Sequence, residues 1–416
     1  MSHIPHNSAH LDDYWLVSGT GGEEAMQASR ALSSMLAPLY GPYCMCRVRM
    51  SSLEEHFITK EGGGMYVSRL LLAYWLTKQQ NDRQIQSLDL DEIREEISAF
   101  GMEEEMNSGA SLGRLDVLSS IKTLSEMFQQ CVPRLTALFD EAGMGGDMTP
   151  EMAALLEEAR MLILCAGHLL TDECSGETPD IPESIINACK PGMPNSDTCL
   201  ASIASLVDLL RSLAEKQATL VARFPGDPRL SPLLAKTILW FFRRFGPAYI
   251  LPSSDEYREN EGGILAAYST PETAQPLINF CTSLCLMYFC HLPQEKEVHD
   301  ETTALLKEMA KKPFVRQLLM NCSPFDKIVA LSSATSSLRH NASASEVATS
   351  MKTVSDELTL DVVTGYQRLP YSDRARILTC IIIACSDMQN EKSNIMLTGC
   401  LKAVEMSFSN LCQALR

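Results

Sequence analysis

Apolar residues recur along much of the chain at alternating steps of three and four positions. The pattern is clearest at residues 155–169, 200–214 and 397–415, where each segment carries one apolar stripe. This spacing is typical of helices with one buried face, and the two-residue alternation of half-buried strands is almost absent. The pattern therefore predicts an all-α protein.

Two segments carry the same signal for the start of a helix. In Thr149-Pro150-Glu151 and in Thr270-Pro271-Glu272, a threonine supplies an N-cap acceptor, a proline fits the first helical position and an acid follows in the first turn. Glycine- and proline-rich breaks separate helices of roughly 15–25 residues. These breaks lie at residues 143–146, 190–194, 224–228 and 369–370.

Helices of this length with short connections predict stacked pairs. A pair every ~40–47 residues is the HEAT-like period, so we expect an α-solenoid of HEAT-like antiparallel helix pairs over residues 65–416. Two separate helical bundles are the alternative. Residues 1–64 are less regular and predict an irregular N-terminal segment with some helix, and residues 103–109 are interpreted as an acidic linker.

The charge balance narrows the classes of partner. The chain of 416 residues has 35 Lys and Arg against 52 Asp and Glu, which gives a formal net charge of -17. Such a chain repels phosphate backbones and anionic lipid, so we predict no nucleic-acid binding, whereas basic protein surfaces are attracted. The apolar runs fall short of the ~20 residues that a membrane span needs, so no membrane insertion is predicted.

The cysteines and histidines suggest no catalytic or metal chemistry. Fifteen cysteines is an odd number, and many lie in apolar helical stretches, so they are interpreted as reduced, buried thiols. Cys281 and Cys285 share a helical face but have no second ligand pair, and His168 is interpreted as a helix-face histidine with a local hydrogen-bond partner. With no phosphate-binding loop or nucleophile pairing, we predict a non-enzyme without cofactor, metal or catalytic residues.

Three acids follow the predicted helix that ends near residue 170. The C-terminus of a helix carries partial negative charge, and the acids that follow it here are Asp172, Glu173 and Glu177. Carboxylates at this position are unfavourable unless the loop binds a cation. We therefore predict them as partner-binding residues, and a solvated loop is the alternative. In residues 240–245 the aromatic side chains are expected to be core, and Arg243 and Arg244 a solvated face.

Two stretches resemble a known family. Residues 230–251, LSPLLAKTILWFFRRFGPAYIL, are similar to a helix of the exportin-4 family, which comprises nuclear transport receptors of the importin-β superfamily. Residues 163–185, ILCAGHLLTDECSGETPDIPESI, resemble the family's helix that ends in an acidic loop. Weaker similarity includes residues 43–47, 112–114 and 300–302 and continues to the last helices in the same order.

The resemblance implies a helical solenoid that exports cargo from the nucleus. It implies Ran-GTP, protein cargo and nuclear pore proteins as partners, translation initiation factor 5A as a cargo, and shuttling between nucleus and cytoplasm. Family members are more than twice as long, and their N-terminal Ran-gripping repeats have no counterpart, so the chain is expected to correspond to the family's central portion. The residues alone leave two rivals: a non-transport scaffold that binds basic proteins, and a helical-bundle enzyme.

Overall fold

A computed structural model describes residues 100–141, 148–172, 179–224, 227, 229–250, 263–336, 360–386 and 391–414. These ranges contain fourteen α-helices and no β-strand. The helices are α1 Phe100–Gly113, α2 Val117–Glu141, α3 Pro150–Leu170, α4 Glu183–Ala188, α5 Ser196–Arg223, α6 Pro232–Phe245, α7 Ile264–Tyr268, α8 Pro271–His291, α9 Lys296–Lys311, α10 Pro313–Met320, α11 Ser323–Ser336, α12 Leu360–Gln367, α13 Tyr371–Cys385 and α14 Glu391–Ala414. The predicted all-α fold class is confirmed, whereas the boundary predicted at residue 65 lies outside the described residues.

The described residues belong to two compact units. The first contains residues up to 127 together with 164–172 and 182–206, and the second contains 128–163, 173–181 and 207–416. A 3-10 turn, Arg114–Asp116, joins α1 to α2 in the first unit. A π-helical turn, Gly246–Ile250, extends α6 in the second.

The helices of the second unit pack in two layers. In one layer α9 contacts both α6 and α13, and in the other α11 contacts both α8 and α14. The layers meet where consecutive helices pack together, as α8 does with α9 and α13 with α14. Only four residues separate α8 from α9, so these two helices run in opposite directions. This order, in which each pair packs on the next, is that of an α-solenoid.

The layered pairs use more chain than the HEAT-like period. The helices of the first layer begin at residues 232, 296 and 371, further apart than the ~40–47 residues of that period. Short helices and connections account for the extra chain, because α7, α10 and α12 lie between members of the layers. Among these, α12 packs against α8 and α11.

Aromatic side chains fill the core at the end of α6. Phe241, Phe242 and Phe245 are buried, as the sequence predicted. The ring of Phe245 stacks on that of Tyr249, with 4.1 Å between centroids, and Tyr268 meets both rings edge-on. The π-helical turn supplies Tyr249, so the break in regular α geometry brings this ring to the cluster.

Both predicted helix starts are confirmed. The hydroxyl of Thr149 accepts a hydrogen bond from the Met152 backbone N–H at 3.2 Å, and that of Thr270 accepts one from the Thr273 N–H at 3.4 Å. The predicted breaks at residues 190–194, 224–228 and 369–370 separate helices as expected, whereas the break at residues 143–146 lies outside the described residues.

Three expectations about local structure are wrong. Residues 103–109 are not a linker, because they form part of α1, whose Met106, Ala110 and Leu112 are buried. Glutamate is a good helix former, so an acidic run with buried residues every three or four positions forms a helix. Arg244 is not solvated either: it is only 2% exposed, and its guanidinium lies 5.0 Å from the centre of the Trp240 ring.

The helix over the stripe predicted at residues 397–415 exposes two of the apolar side chains expected to be buried. The segment is helical, but Leu401 is 54% exposed and Val404 is 44% exposed. The helix buries a neighbouring face instead, which includes Ser393, Met396 and Cys400. At the positions whose burial is described, the helical period agrees with the prediction but the buried face differs, because a sequence shows how apolar residues are spaced but not where the neighbouring helix lies.

Gly365 lies where the backbones of α12 and α8 touch. A Cβ atom at this position would be 1.8 Å from the carbonyl oxygen of Cys290. We expect Gly365→Ala to lower the free energy of unfolding by about 1–3 kcal/mol or more, because the two helices must separate. Urea unfolding followed by circular dichroism measures this loss.

Gly246→Ala is the matched control. A Cβ there has no atom within 4 Å, so the added methyl group should leave stability unchanged or raise it by up to about 1 kcal/mol. Equal unfolding midpoints for the two variants would contradict the close backbone contact at Gly365.

Candidate partner-binding site

Asp172 lies just after the end of α3, as the sequence predicted. Its side chain is 61% exposed, and its Oδ2 atom is 3.2 Å from Nη1 of Arg114. Glu173 and Glu177, the other two predicted partner-binding residues, lie outside the described residues. Arg114, which belongs to the same unit, therefore supplies the cation beside Asp172.

Arg114 also caps the C-terminus of α3. Its Nη2 atom donates to the carbonyls of His168 at 2.6 Å and Thr171 at 3.0 Å, and its Nε atom donates to that of Leu169 at 3.2 Å. The last carbonyls of a helix have no partner within the helix and carry its partial negative charge. The planar, permanently charged guanidinium is suited to bind several of them at once.

His168 anchors α3 to α1. Its ring is buried, and its Nδ1 atom is 2.7 Å from Oδ1 of Asn107. The hydrogen-bond partner that the sequence led us to expect is present, but it comes from α1 rather than from the same helix. Asn107 belongs to the segment misread as a linker, so the error about α1 also hid this contact.

Sequence reasoning missed Arg114 as a member of the site. It is 58 positions from Asp172, and no helical or turn spacing connects the two residues. The signal that could have found it is the resemblance itself, because residues 112–114 and the stretch containing Asp172 both belong to the segments that resemble one family. The structure places these two segments in contact.

A second pair of resembling segments also meets, in the second unit. Arg243 of α6 donates through Nε to Oε2 of Glu301 in α9 at 2.8 Å. Lys236 of α6 pairs with Glu297 of α9 at 2.7 Å. On the other side of α9, Asp300 pairs with Arg376 of α13. The acids at residues 300 and 301 thus connect α9 to both neighbours in its layer.

The thiols of the described residues are free, and nearly all of them are buried. Burial raises the pKa of Cys290 to about 12 and the pKa values of Cys380 and Cys385 to about 11, so these thiols stay protonated at neutral pH. Among the described residues, no three His, Cys, Asp or Glu side chains form a group that could hold a metal ion.

Among the described residues, no helix is both long enough and apolar enough to cross a bilayer.

The fold and the contacts define an all-helical protein in which helix pairs stack on one another and acidic side chains join neighbouring helices. A sequence model of the Exportin-4 family matches residues 65–359. The chain therefore belongs to the exportin-4 family. It is also 27% identical over 198 residues to Exportin-4 of Dictyostelium discoideum, a match that covers 45% of this chain and 15% of the Dictyostelium protein.

The cap on α3 gives a test of the site's geometry. We expect Arg114→Met to lower the free energy of unfolding by about 2–3 kcal/mol, because it removes three charge-assisted hydrogen bonds to carbonyls. Asp172→Asn should cost at most about 1 kcal/mol, because that pair is largely exposed on the aspartate side. Urea unfolding of both variants measures the difference, and equal losses would contradict the assignment of Arg114 as a cap.

Proposed function

We propose that this chain acts in nuclear export, as part of a receptor that carries protein cargo out of the nucleus together with Ran-GTP. The observation that carries the proposal is membership of the exportin-4 family. The chain spans 15% of the length of the Dictyostelium relative that it matches. The activity of that whole protein is therefore a proposal for this chain.

The proposal extends to partners and location. The receptor moves between nucleus and cytoplasm through contacts with nuclear pore proteins, and translation initiation factor 5A is among its cargoes. It is not an enzyme and uses no cofactor. The helix pairs of the second unit are proposed to be HEAT-like pairs whose wider spacing comes from the short helices α7, α10 and α12 between them. Residues 65–416 are proposed to be a HEAT-like helical solenoid that follows an irregular segment at residues 1–64. A stacked array supports this role because it offers an extended surface to a protein partner.

The acidic loop supplies a contact for the partner. Asp172, Glu173 and Glu177 receive a basic surface of cargo or Ran. At Asp172 the observed geometry supports this role, because the side chain is 61% exposed even though Arg114 lies beside it. The net charge of -17 favours the same kind of partner through long-range attraction.

Ran dependence separates export from scaffolding. A full-length form of the protein, which includes the N-terminal repeats that the resemblance implies for Ran binding, is immobilised and exposed to nuclear extract with and without Ran that carries a non-hydrolysable GTP analogue. Since coupling between two ligands is reciprocal, we expect cargo capture to rise by roughly 5–150-fold with Ran-GTP. Capture that does not respond to Ran-GTP would favour the rival function, a scaffold that binds basic proteins.

A charge-neutralising variant tests the loop itself. In Asp172→Asn/Glu173→Gln/Glu177→Gln the volume hardly changes, so we expect the fold to persist and the association rate with captured cargo to fall by roughly tenfold or more at low salt. The dependence of the rate on salt should also flatten. Stopped-flow or surface-plasmon-resonance association rates measure both effects.

The control for that variant removes the same charge elsewhere. Glu126, Asp197 and Glu405 are exposed acids on α2, α5 and α14. Changing them to Gln, Asn and Gln should lower the association rate much less if the loop is the contact. Equal losses in the two triple variants would mean that net charge alone steers the partner and that the loop is merely solvated.

A further inference from the structure

A buried histidine joins three helices of the second unit. His299 lies in the first turn of α9, and its side chain is buried. Its Nδ1 atom is 3.2 Å from Oδ2 of Asp373, a buried residue in the first turn of α13. Its Nε2 atom is 2.7 Å from the carbonyl oxygen of Leu292, the C-cap residue of α8. One ring thus connects the end of α8 and the start of α13 through α9.

The two partners of the ring determine how many protons the pair holds. A backbone carbonyl can only accept a hydrogen bond, so Nε2 of His299 carries a hydrogen. An ionised carboxylate also only accepts, so Nδ1 carries a second hydrogen if Asp373 is ionised. If Nδ1 has none, the hydrogen between the two side chains belongs to Asp373. In both cases the pair holds one proton more than a neutral histidine beside an ionised aspartate.

The surroundings of Asp373 favour the histidine as the holder of that proton. The first turn of a helix carries partial positive charge, which favours an ionised carboxylate at Asp373. Nη1 of Arg376 is 3.6 Å from Oδ1 of Asp373 and favours the same form. Arg376 also pairs with Asp300, the neighbour of His299 along α9. These contacts favour an imidazolium that donates from both of its nitrogens.

The elements on the other sides of α9 direct their charged groups elsewhere. These elements are α6, α8, α10 and the π-helical turn. Lys236 and Arg243 of α6 pair with acids two positions from His299, on the opposite side of a helix with 3.6 residues per turn. Arg316 of α10 donates to carbonyls at the far end of α9. Tyr249 of the π-helical turn lies in the aromatic cluster of α6.

The side chains of α8 and α13 near the pair also have other partners. The Phe289 ring of α8 lies beside the imidazole, with 6.4 Å between ring centroids, and it carries no charge. The thiols of Cys285 in α8 and Cys380 in α13 donate to carbonyls one turn further along α9. Arg374 lies over a tyrosine ring of its own helix. Among these contacts, the charge beside the imidazole is that of Asp373.

We propose that the His299–Asp373 pair is a proton-dependent joint that fixes α13 to α9 and to the end of α8, and that weakens as the pH rises. When the ring gives its Nδ1 proton to solvent, a bare nitrogen faces an ionised carboxylate. Two acceptors then meet in a buried place, and the carboxylate loses a charged donor that offset the cost of its burial. The contact between these two neighbours of one layer is therefore weaker in the deprotonated state.

The folded and unfolded states hold different numbers of protons at this pair. A histidine in an unfolded chain loses its proton at about pH 6.5, and an unfolded aspartate is already ionised there. The folded pair keeps its proton, so above that pH the folded state holds more protons than the unfolded one. Stability then falls as the pH rises, and the equilibrium constant for unfolding increases by up to about tenfold per pH unit.

The protonation of His299 is tested directly by magnetic resonance. The full chain is labelled with nitrogen-15 histidine, and two-bond proton–nitrogen correlation spectra are recorded at mildly alkaline pH for the unchanged protein and for Asp373→Asn. We expect a histidine with two protonated nitrogens in the unchanged protein. In the variant the amide can donate to a bare Nδ1, so the same histidine should have one unprotonated nitrogen. If the unchanged protein has no histidine with two protonated nitrogens, the proposal is wrong.

The pH dependence of unfolding is the second test. Asp373→Asn keeps both hydrogen bonds of a neutral ring, so its stability should not depend on a proton at this pair. We expect the unfolding constant of the unchanged protein, relative to that of the variant, to rise roughly tenfold between about pH 7 and pH 8 in urea unfolding followed by circular dichroism. Asp300→Asn removes a more exposed acid from the same helix contact and should retain the pH dependence. A constant ratio, or an equal loss of pH dependence in Asp300→Asn, would contradict the proposal.

Discussion

The second unit depends on α9 burying two sides at once. Its buried residues include Val298, Leu305 and Leu306, and its acids pair with α6 on one side and with α13 on the other. A helix with two neighbours in its layer has no face left for a second function except the one turned to solvent. Function in such an array therefore lies in surfaces shared by several helices, which is the usual arrangement in stacked helical proteins.

The C-terminus of α3 also depends on a contact with another helical segment, because its last carbonyls need hydrogen-bond donors. Its last carbonyls find a donor in Arg114, and the same guanidinium lies beside Asp172. An acid at the negative end of a helix is therefore tolerated here without any external cation. The acidic loop is either a partner-binding site or a solvated loop. The two interpretations differ only in whether the exposed side of Asp172 contacts a protein partner or water, and the fold of this chain does not decide between them.

Local signals in the sequence predicted the helices and several of their ends. Apolar spacing found α3, α5 and α14, and the threonine caps found the starts of α3 and α8, because these features depend on residues a few positions apart. Contacts between distant segments could not be found in this way. The pairing of Arg114 with Asp172, the burial of Arg244 and the exposed face of α14 all depend on which helices become neighbours.

The contact between α12 and α8 at Gly365 has a mechanical consequence. Most helix interfaces are separated by side chains that can change rotamer, so the helices slide over one another by small steps. At Gly365 the backbone of α12 lies directly against the carbonyl of Cys290, with no side chain between them. No change of rotamer at this crossing can therefore let one helix slide over the other, so the glycine fixes the separation of the two backbones.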